Sequence, residues 1–315
     1  MDNINTILES LEQELIEIIT EKVEKIVKLS SVEKNPIFYH YTNLECLQKI
    51  IENKSFYFSN SFFLNDKLEF KKGLEIFEQK INSFSDNNLI NDYGLLQKIK
   101  DKFKLSNSSN RYVACFSLKG DLLSHWRAYS NDGKGVCIAF NGNKLINFFD
   151  STKGFPIIYD KIKQEQIADI VIYQAFNFYL QNKEKFLSSL SESEFAEKIS
   201  EKMFFQIQEY IGIFKHTAFQ EEKEFRFEIK IDENNTEREL KFRNGVNNLF
   251  VPYVIEFNSE YSTNLNDILF PIKELIIGPS LNSELNIIST TKFLEKNGYD
   301  IDKILIKASE VPYRI

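Results

Sequence analysis

The sequence is poor in the residues that most often announce a site: 315 residues include three cysteines, three histidines, two methionines and one tryptophan. Cys46, Cys115 and Cys137 are odd in number, far apart and set in apolar runs. That pattern argues against a disulfide framework and against a cysteine zinc site, and it fits a reducing cytoplasm. His40, His125 and His216 show no metal-ligand spacing, so no metal is expected. There is no glycine-rich phosphate loop, no G-x-S-x-G elbow and no H-E-x-x-H, which sets aside P-loop enzymes, kinases, elbow-type hydrolases and zincins. No apolar run approaches the roughly 20 residues of a membrane span. The start, MDNINTILESLEQELIEIITEK, is acidic and amphipathic, unlike a signal peptide. The expectation is a cytoplasmic chain with no membrane partner. A net charge of −7 supplies no bulk attraction to nucleic acid.

What is present is aromatic. Twenty-nine Phe and 14 Tyr, with 43% hydrophobic and 27% charged residues, describe a globular chain with an aromatic core. Ile4, Ile7, Leu8, Leu11, Leu15, Ile18, Ile19, Ile26 and Leu29 recur at three- and four-residue steps, so residues 1–30 read as an amphipathic helix. Its apolar face serves either its own domain or a dimer or partner contact. Strands are expected at FYHYT (38–42), FYFS (56–59), RYVACFS (111–117), GVCIAFN (135–141), 224–231, ERELKFR, LFVPYVIEFN, ELIIG and KILIKAS. Helices are expected at 43–54, from about 67 to 104 with a break near 83–88, at 122–130, at 161–214 with a break near 187–192, and at 283–299. Strands cluster and helices group between them, which indicates α+β. Residues 31–315 read as one α+β domain carrying a helical insertion at 161–214, expected to pack beside the sheet.

The chemistry-bearing stretch is QEEKEFRFEIKI, 220–231. Glu224, Arg226, Glu228 and Lys230 fall on one parity and Phe225, Phe227, Ile229 and Ile231 on the other, the pattern of a strand with one dry face. Glu222 shares the polar parity, so Glu222, Glu224 and Arg226 would stand in a row about 7 Å apart. Such a row is ordinarily the solvated side of a half-covered sheet, with Arg226 neutralising Glu224; the alternative is a catalytic edge. His40 sits mid-strand, either as a hydrogen-bonded core residue or as a catalyst. Trp126 and Tyr129 share a helical face beside Arg127, as an aromatic core plug or a platform for a flat ring. Arg127 would hold a phosphate or pair with Asp121. Asn65, Asp66 and Glu69 read as a helix cap with an acidic first turn, or as divalent-metal ligands.

Five separated blocks, FYHYTNLECLQKII, FLNDKLEF, CFSLKGDLLSHWRAYSNDGKGVCIAF, KHTAFQEEKEFRF, and IKELIIGPS with SEVPYR, resemble a bacterial family of unknown function common in mobile elements and defence loci. The likeness spans about 36–314 apart from the helical insertion. That family in turn distantly resembles the ADP-ribosyltransferase superfamily. The resemblance implies a split, bent, mostly antiparallel α+β sheet with an NAD cleft. His40, Tyr41 and Thr42 match its His-x-Thr element, Trp126 or Tyr129 its stacking aromatic, and Glu224 its catalytic glutamate, with Glu222 two residues earlier placed to deprotonate the incoming acceptor. Arg127 and Arg226 would then neighbour the dinucleotide. NAD is implied as substrate, and an unknown protein or nucleic acid as acceptor. Breaking the nicotinamide–ribose bond develops positive charge, which a carboxylate stabilises while an aromatic ring holds the leaving group. Three functions follow: an NAD-dependent toxin or antiphage effector; a non-catalytic nucleotide-binding sensor; or a metal-dependent nuclease using Asp66, Glu69, Glu222 and Glu224. The first requires His40, Trp126 or Tyr129, and Glu224 to line one cleft, and it fails if His40 and Glu224 occupy opposite faces.

Overall fold

The computed structural model describes residues 2–28, 33–64, 67–86, 93–105, 110–186, 190–231, 241–245, 249–254, 269–280 and 282–313. The first half of the chain runs α1 (Asp2–Lys28), β1 (Ile37–Thr42), α2 (Leu44–Asn53), β2 (Phe58–Asn60), α3 (Lys67–Asp86), α4 (Tyr93–Leu105), β3 (Arg111–Ser117), α5 (Leu123–Tyr129), β4 (Val136–Asn141), α6 (Gly142–Phe148) and β5 (Lys153–Pro156). The second half runs α7 (Lys161–Phe186), α8 (Glu192–Ile211), β6 (Glu224–Lys230), β7 (Lys241–Arg243), β8 (Val251–Val254), β9 (Ile272–Ile277), α9 (Ser283–Lys296) and β10 (Leu305–Ala308). The chain divides into two compact units, one of Met1–Ser31, Asp66–Ser109 and Ile157–Gln220, the other of Val32–Asn65, Asn110–Pro156 and Glu221–Ile315.

The first unit is helical. α7 is its centre, packed by α1, α3 and α8, and for that reason it buries more than one stripe: Ile167, Ala168, Val171, Ile172, Ala175, Phe176 and Tyr179 are all inaccessible. α8 begins at a reciprocal cap in which the Glu194 N–H donates to Ser191 Oγ and the Ser191 N–H donates to the Glu194 carboxylate. The 161–214 segment is thus one part of a larger helical unit, which α1, α3 and α4 complete. Leu15, Ile19 and Val23 of α1 are buried, so this stretch of its apolar face is used inside the unit. The side chains of Ile4, Ile7, Leu8 and Leu11 lie outside the described residues.

The second unit is built on a non-closed, mostly antiparallel sheet with the order β10-β9-β4-β1-β3-β2-β8-β7; β10 joins β9 in parallel. β3 is the hub. One edge pairs along its whole length with β6, from Arg111↔Lys230 to Ser117↔Glu224, and β6 in turn carries β5. The other edge is divided between β2, at Ser59↔Val113, and β1, which meets it at Tyr39↔Ser117.

Register fixes the two faces, because partners across an antiparallel pair point the same way. Phe38, Phe116, Phe225, Phe227, Ile138 and Phe140 make an aromatic core on one face, joined by Leu47, Ile50 and Ile51 of α2, Leu145 of α6 and Leu294 of α9. Phe38 stacks on Phe225 with ring centroids 4.4 Å apart. The opposite face carries Tyr39, Tyr41, Cys115, Ser117, Glu224, Arg226 and Glu228.

Two expectations shift, and part of two others falls outside the described residues. β2 starts at Phe58, two residues later than the aromatic run; Phe56 and Phe58 both lie in the core, with Phe56 stacked on Phe116. β5 was not expected: KGFP contains Gly and Pro and shows no alternation, as suits a short edge strand. In the ERELKFR and LFVPYVIEFN stretches, 237–240 and 255–258 lie outside the described residues.

Candidate functional site

The polar parity of β6 is buried. Glu224, Arg226 and Glu228 are 6%, 5% and 5% exposed, so the solvated-strand expectation is corrected. Alternation reports which side chains share a face and says nothing of what covers that face. The charges survive burial by pairing. Arg226 Nε donates to Glu224 Oε1 at 2.5 Å and its Nη2 to Glu224 Oε2 at 3.1 Å. Arg111, one strand over, donates to Glu228 Oε1 at 2.6 Å.

Glu222, just before β6, differs. It is half-buried, and its Oε1 accepts the Tyr129 phenol at 3.2 Å across 93 residues of sequence. Ser117 Oγ donates to the Glu222 carbonyl at 2.7 Å, and the Leu118 N–H donates to the Lys223 carbonyl at 2.8 Å. Lys223 has φ +46°, a conformation that L residues seldom adopt. It stands between the half-buried Glu222 and the buried Glu224.

Tyr129 is presented by α5, which is fixed on the Tyr41 face of the sheet. The Tyr41 hydroxyl accepts the Leu122 N–H at 2.9 Å and donates to the Lys119 carbonyl at 3.3 Å. Burial pushes the Tyr41 phenol far above its ordinary pKa, so it stays protonated. His125 stacks on Tyr41 at 4.7 Å. Trp126 is wholly buried and donates Nε1–H to Asp121 Oδ1 at 2.8 Å; it is the core plug and not a platform. Tyr129 is 39% exposed, and Arg127 is exposed beside it. Asp121 accepts from Trp126, from the Ser309 hydroxyl and from the Glu310 N–H.

His40 is elsewhere. Its neighbour Tyr39 pairs with Ser117, and Ser117 pairs with Glu224, so Glu224 shares the Tyr39 face and His40 points to the other. The ring meets Phe56 edge-on at 4.8 Å and Phe116 at 5.5 Å. Its Nδ1 lies 3.2 Å from the Cys115 carbonyl, which only accepts, so Nδ1 carries the proton. Burial pushes the His40 pKa down to about 4. Thr42 is buried, and its carbonyl lies 2.1 Å from where a Cβ on Gly135 would sit, which requires glycine there. The expected cleft of His40, an aromatic ring and Glu224 is therefore not formed. Tyr129 and Glu222 come together just ahead of β6, with Glu224 and Arg226 following on that strand.

Asn65 and Asp66 lie outside the described residues, as does the side chain of Glu69. Among the described residues no group of three His, Cys, Asp or Glu side chains is placed to hold a metal ion, and no helix is long and apolar enough to cross a membrane. Cys137 is buried, which raises its thiol pKa well above the usual range and leaves it a packing residue. Asp121, Asp132, Ser309 and Tyr313 were given no site role in the sequence. Their only signal was membership of the blocks GDLLSHWRAYSNDG and SEVPYR, and neither block states that the two meet.

Residues 125–227 match a protein family described as a protein of unknown function, DUF2971. The matched segment runs from α5 through the helical stretch to β6, so it includes the segment that the resemblance had left aside. No curated protein and no solved structure matches the chain.

Proposed function

We propose that the protein is an NAD-consuming transferase of the ADP-ribosyl type, acting as a toxin or antiphage effector, with Glu222 and Tyr129 facing the ligand. The observation that carries this reading is the Tyr129–Glu222 hydrogen bond, which sets an exposed aromatic ring beside a solvent-reachable carboxylate. Those are the two groups that cleavage of the nicotinamide–ribose bond needs: a flat surface for the leaving ring and a negative charge beside the developing oxocarbenium ion. The bonding electron pair leaves on nicotinamide, the acceptor closes on the anomeric carbon, and the acceptor's proton passes to solvent. The division of the β3 edge between β1 and β2 supports the split-sheet part of the resemblance.

His40 and Glu224 occupy opposite faces, so the transferase in the form the resemblance implies, with those two residues lining one cleft, fails; the reading proposed here is a different one, in which the roles pass to other residues. Glu224 is engaged by Arg226, so the carboxylate role falls to Glu222. His40 faces the aromatic core and takes no step with Glu224. Arg127, exposed on α5 and interacting with the Tyr313 hydroxyl, is the cation assigned to a dinucleotide phosphate in this reading.

Purified protein incubated with NAD labelled in the adenylate half and with cell lysate tests this directly. Label on a macromolecule with equimolar release of nicotinamide is the expected result; no release from any acceptor source overturns it. The sensor reading has its own support in the two closed ion pairs, which make β6 rigid rather than reactive. It predicts saturable NAD binding without nicotinamide release. No observation favours the nuclease reading.

A further inference from the structure

α5 is held at both ends, and both holds converge on the C-terminal segment. At its start, Asp121 adopts φ +56°, which Asp and Asn tolerate better than other non-glycine residues. Oδ1 of Asp121 accepts the Trp126 indole N–H and the Ser309 hydroxyl, and Oδ2 accepts the Glu310 N–H at 2.8 Å. One carboxylate therefore joins the helix to residues 309–310. Ser309 is anchored in turn, since its N–H donates to the Ile277 carbonyl at the end of β9 at 2.8 Å and its Oγ also accepts the Val311 N–H at 3.1 Å. Val311 packs against the buried Tyr41, Trp126, Cys137 and Ile276 cluster.

Beyond α5, Asn131, Asp132 and Gly133 are left-handed in succession, with φ of 53°, 54° and 81°, and the Gly133 N–H closes back on the Trp126 carbonyl at 2.8 Å. Asp132, within this turn, accepts the Tyr313 phenol at 2.7 Å. That bond holds the Tyr313 pKa above its ordinary value. Gly278, leaving β9, packs on the same turn; a Cβ there would lie 2.1 Å from the Gly133 carbonyl.

The geometry points to residues 309–313 as a strap that fixes α5, with Asp121 as the positioning residue that transmits its hold to Tyr129. This goes beyond the transferase reading in assigning control of the ligand-facing ring to the C-terminal segment, and it rests on that reading only for the statement that Tyr129 meets the ligand. The structural half is testable without NAD, because Trp126 is the single tryptophan of the chain and is bonded directly to Asp121. Asp121→Asn keeps the size and the tolerance for positive φ, but an amide offers one acceptor oxygen to three donors. Ser309→Ala removes one arm of the strap, Ser309→Thr keeps the hydroxyl, and a chain ended after Ala308 removes the strap entirely.

Trp126 emission and its quenching by acrylamide are the readout, with circular dichroism to check folding. The expected result is a shift of emission to the red and stronger quenching in Asp121→Asn, in Ser309→Ala and, most of all, in the shortened chain, with Ser309→Thr returning to wild type. Should the shortened chain not fold, the two point variants decide. Emission and quenching equal to wild type in both Asp121→Asn and Ser309→Ala overturn the proposal. Protein that shows these shifts yet never releases nicotinamide keeps the strap and loses the transferase reading.

Discussion

The ion pairs of β6 in the sheet unit and those that join helices in the helical unit use the same chemistry at different depths. In the helical unit, Lys98 and Lys102 pair with Glu197 at 2.8 and 2.7 Å, and Lys80 pairs with Asp169 at 2.8 Å, with acidic side chains 43–51% exposed. In the sheet unit, Arg226–Glu224 and Arg111–Glu228 are 10% exposed or less at every side chain. Exposed pairs hold long side chains against their own entropy and are screened by salt, so each contributes little. A buried pair costs desolvation and returns it only while both partners remain; removing one leaves a bare charge in the interior. Lysine serves the first setting and arginine the second; the Arg226 fork meets both Glu224 oxygens at once. Presence of an ion pair therefore says little, and burial decides its weight.

The largest effect expected from this contrast is at β6. Arg226→Ala strands the Glu224 carboxylate and should lower stability by about 3–5 kcal/mol in urea unfolding. Replacing Glu224 and Arg226 together by Met should recover most of the loss, since the desolvation cost disappears with the charge. A loss below about 1 kcal/mol in the single variant would put this pair in the same class as the exposed ones.

The next effect is a pH dependence that His40 gives the sheet unit. His40 has a pKa of about 4 in the folded chain against an ordinary 6.5, so the unfolded chain takes up the proton first as pH falls. Stability carried by neutral His40 is complete above about pH 6.5 and is lost between there and about pH 4. His40→Gln should flatten that part of the stability–pH curve; an unchanged slope would mean that His40 does not titrate abnormally.

The smallest effect belongs to the helical unit. Lys102→Ala should shift the urea-derived stability by no more than about 1 kcal/mol, and by less in high salt. A loss as large as that at Arg226 would remove the contrast.

How much of this was legible in the sequence depends on range. The 111–117 strand, the 135–141 strand and the 43–54 helix were readable from apolar β-prone runs and from helical period, because both signals are local. The row Glu222, Glu224, Arg226 was legible as a row, yet its burial was not, since coverage comes from residues far away in sequence. The faces of β1 and β6 were each read correctly within the strand. Their relation was not readable, because it depends on β3 and on the register Tyr39↔Ser117↔Glu224. Tyr129 and Trp126 looked equivalent by spacing; one is exposed and the other fully buried, a distinction set by Asp121 and the 309–313 segment. Asp121 was visible only as a possible partner for Arg127, and three donors from elsewhere occupy it instead.

The charged row Glu222, Glu224, Arg226 is divided at the start of β6: Glu224 is closed on Arg226, and Glu222, bonded to Tyr129, is the carboxylate that the proposed function turns toward a ligand. Nicotinamide release and thermal unfolding, measured side by side for Glu222→Gln and Glu224→Gln, test it most directly. The account predicts that Glu222→Gln unfolds with the wild type, within about 0.5 kcal/mol, while release falls at least about a hundredfold. It predicts that Glu224→Gln unfolds earlier and keeps its release per folded molecule. Full release by Glu222→Gln, together with a folded Glu224→Gln that has lost release, would contradict it and return the chemistry to Glu224.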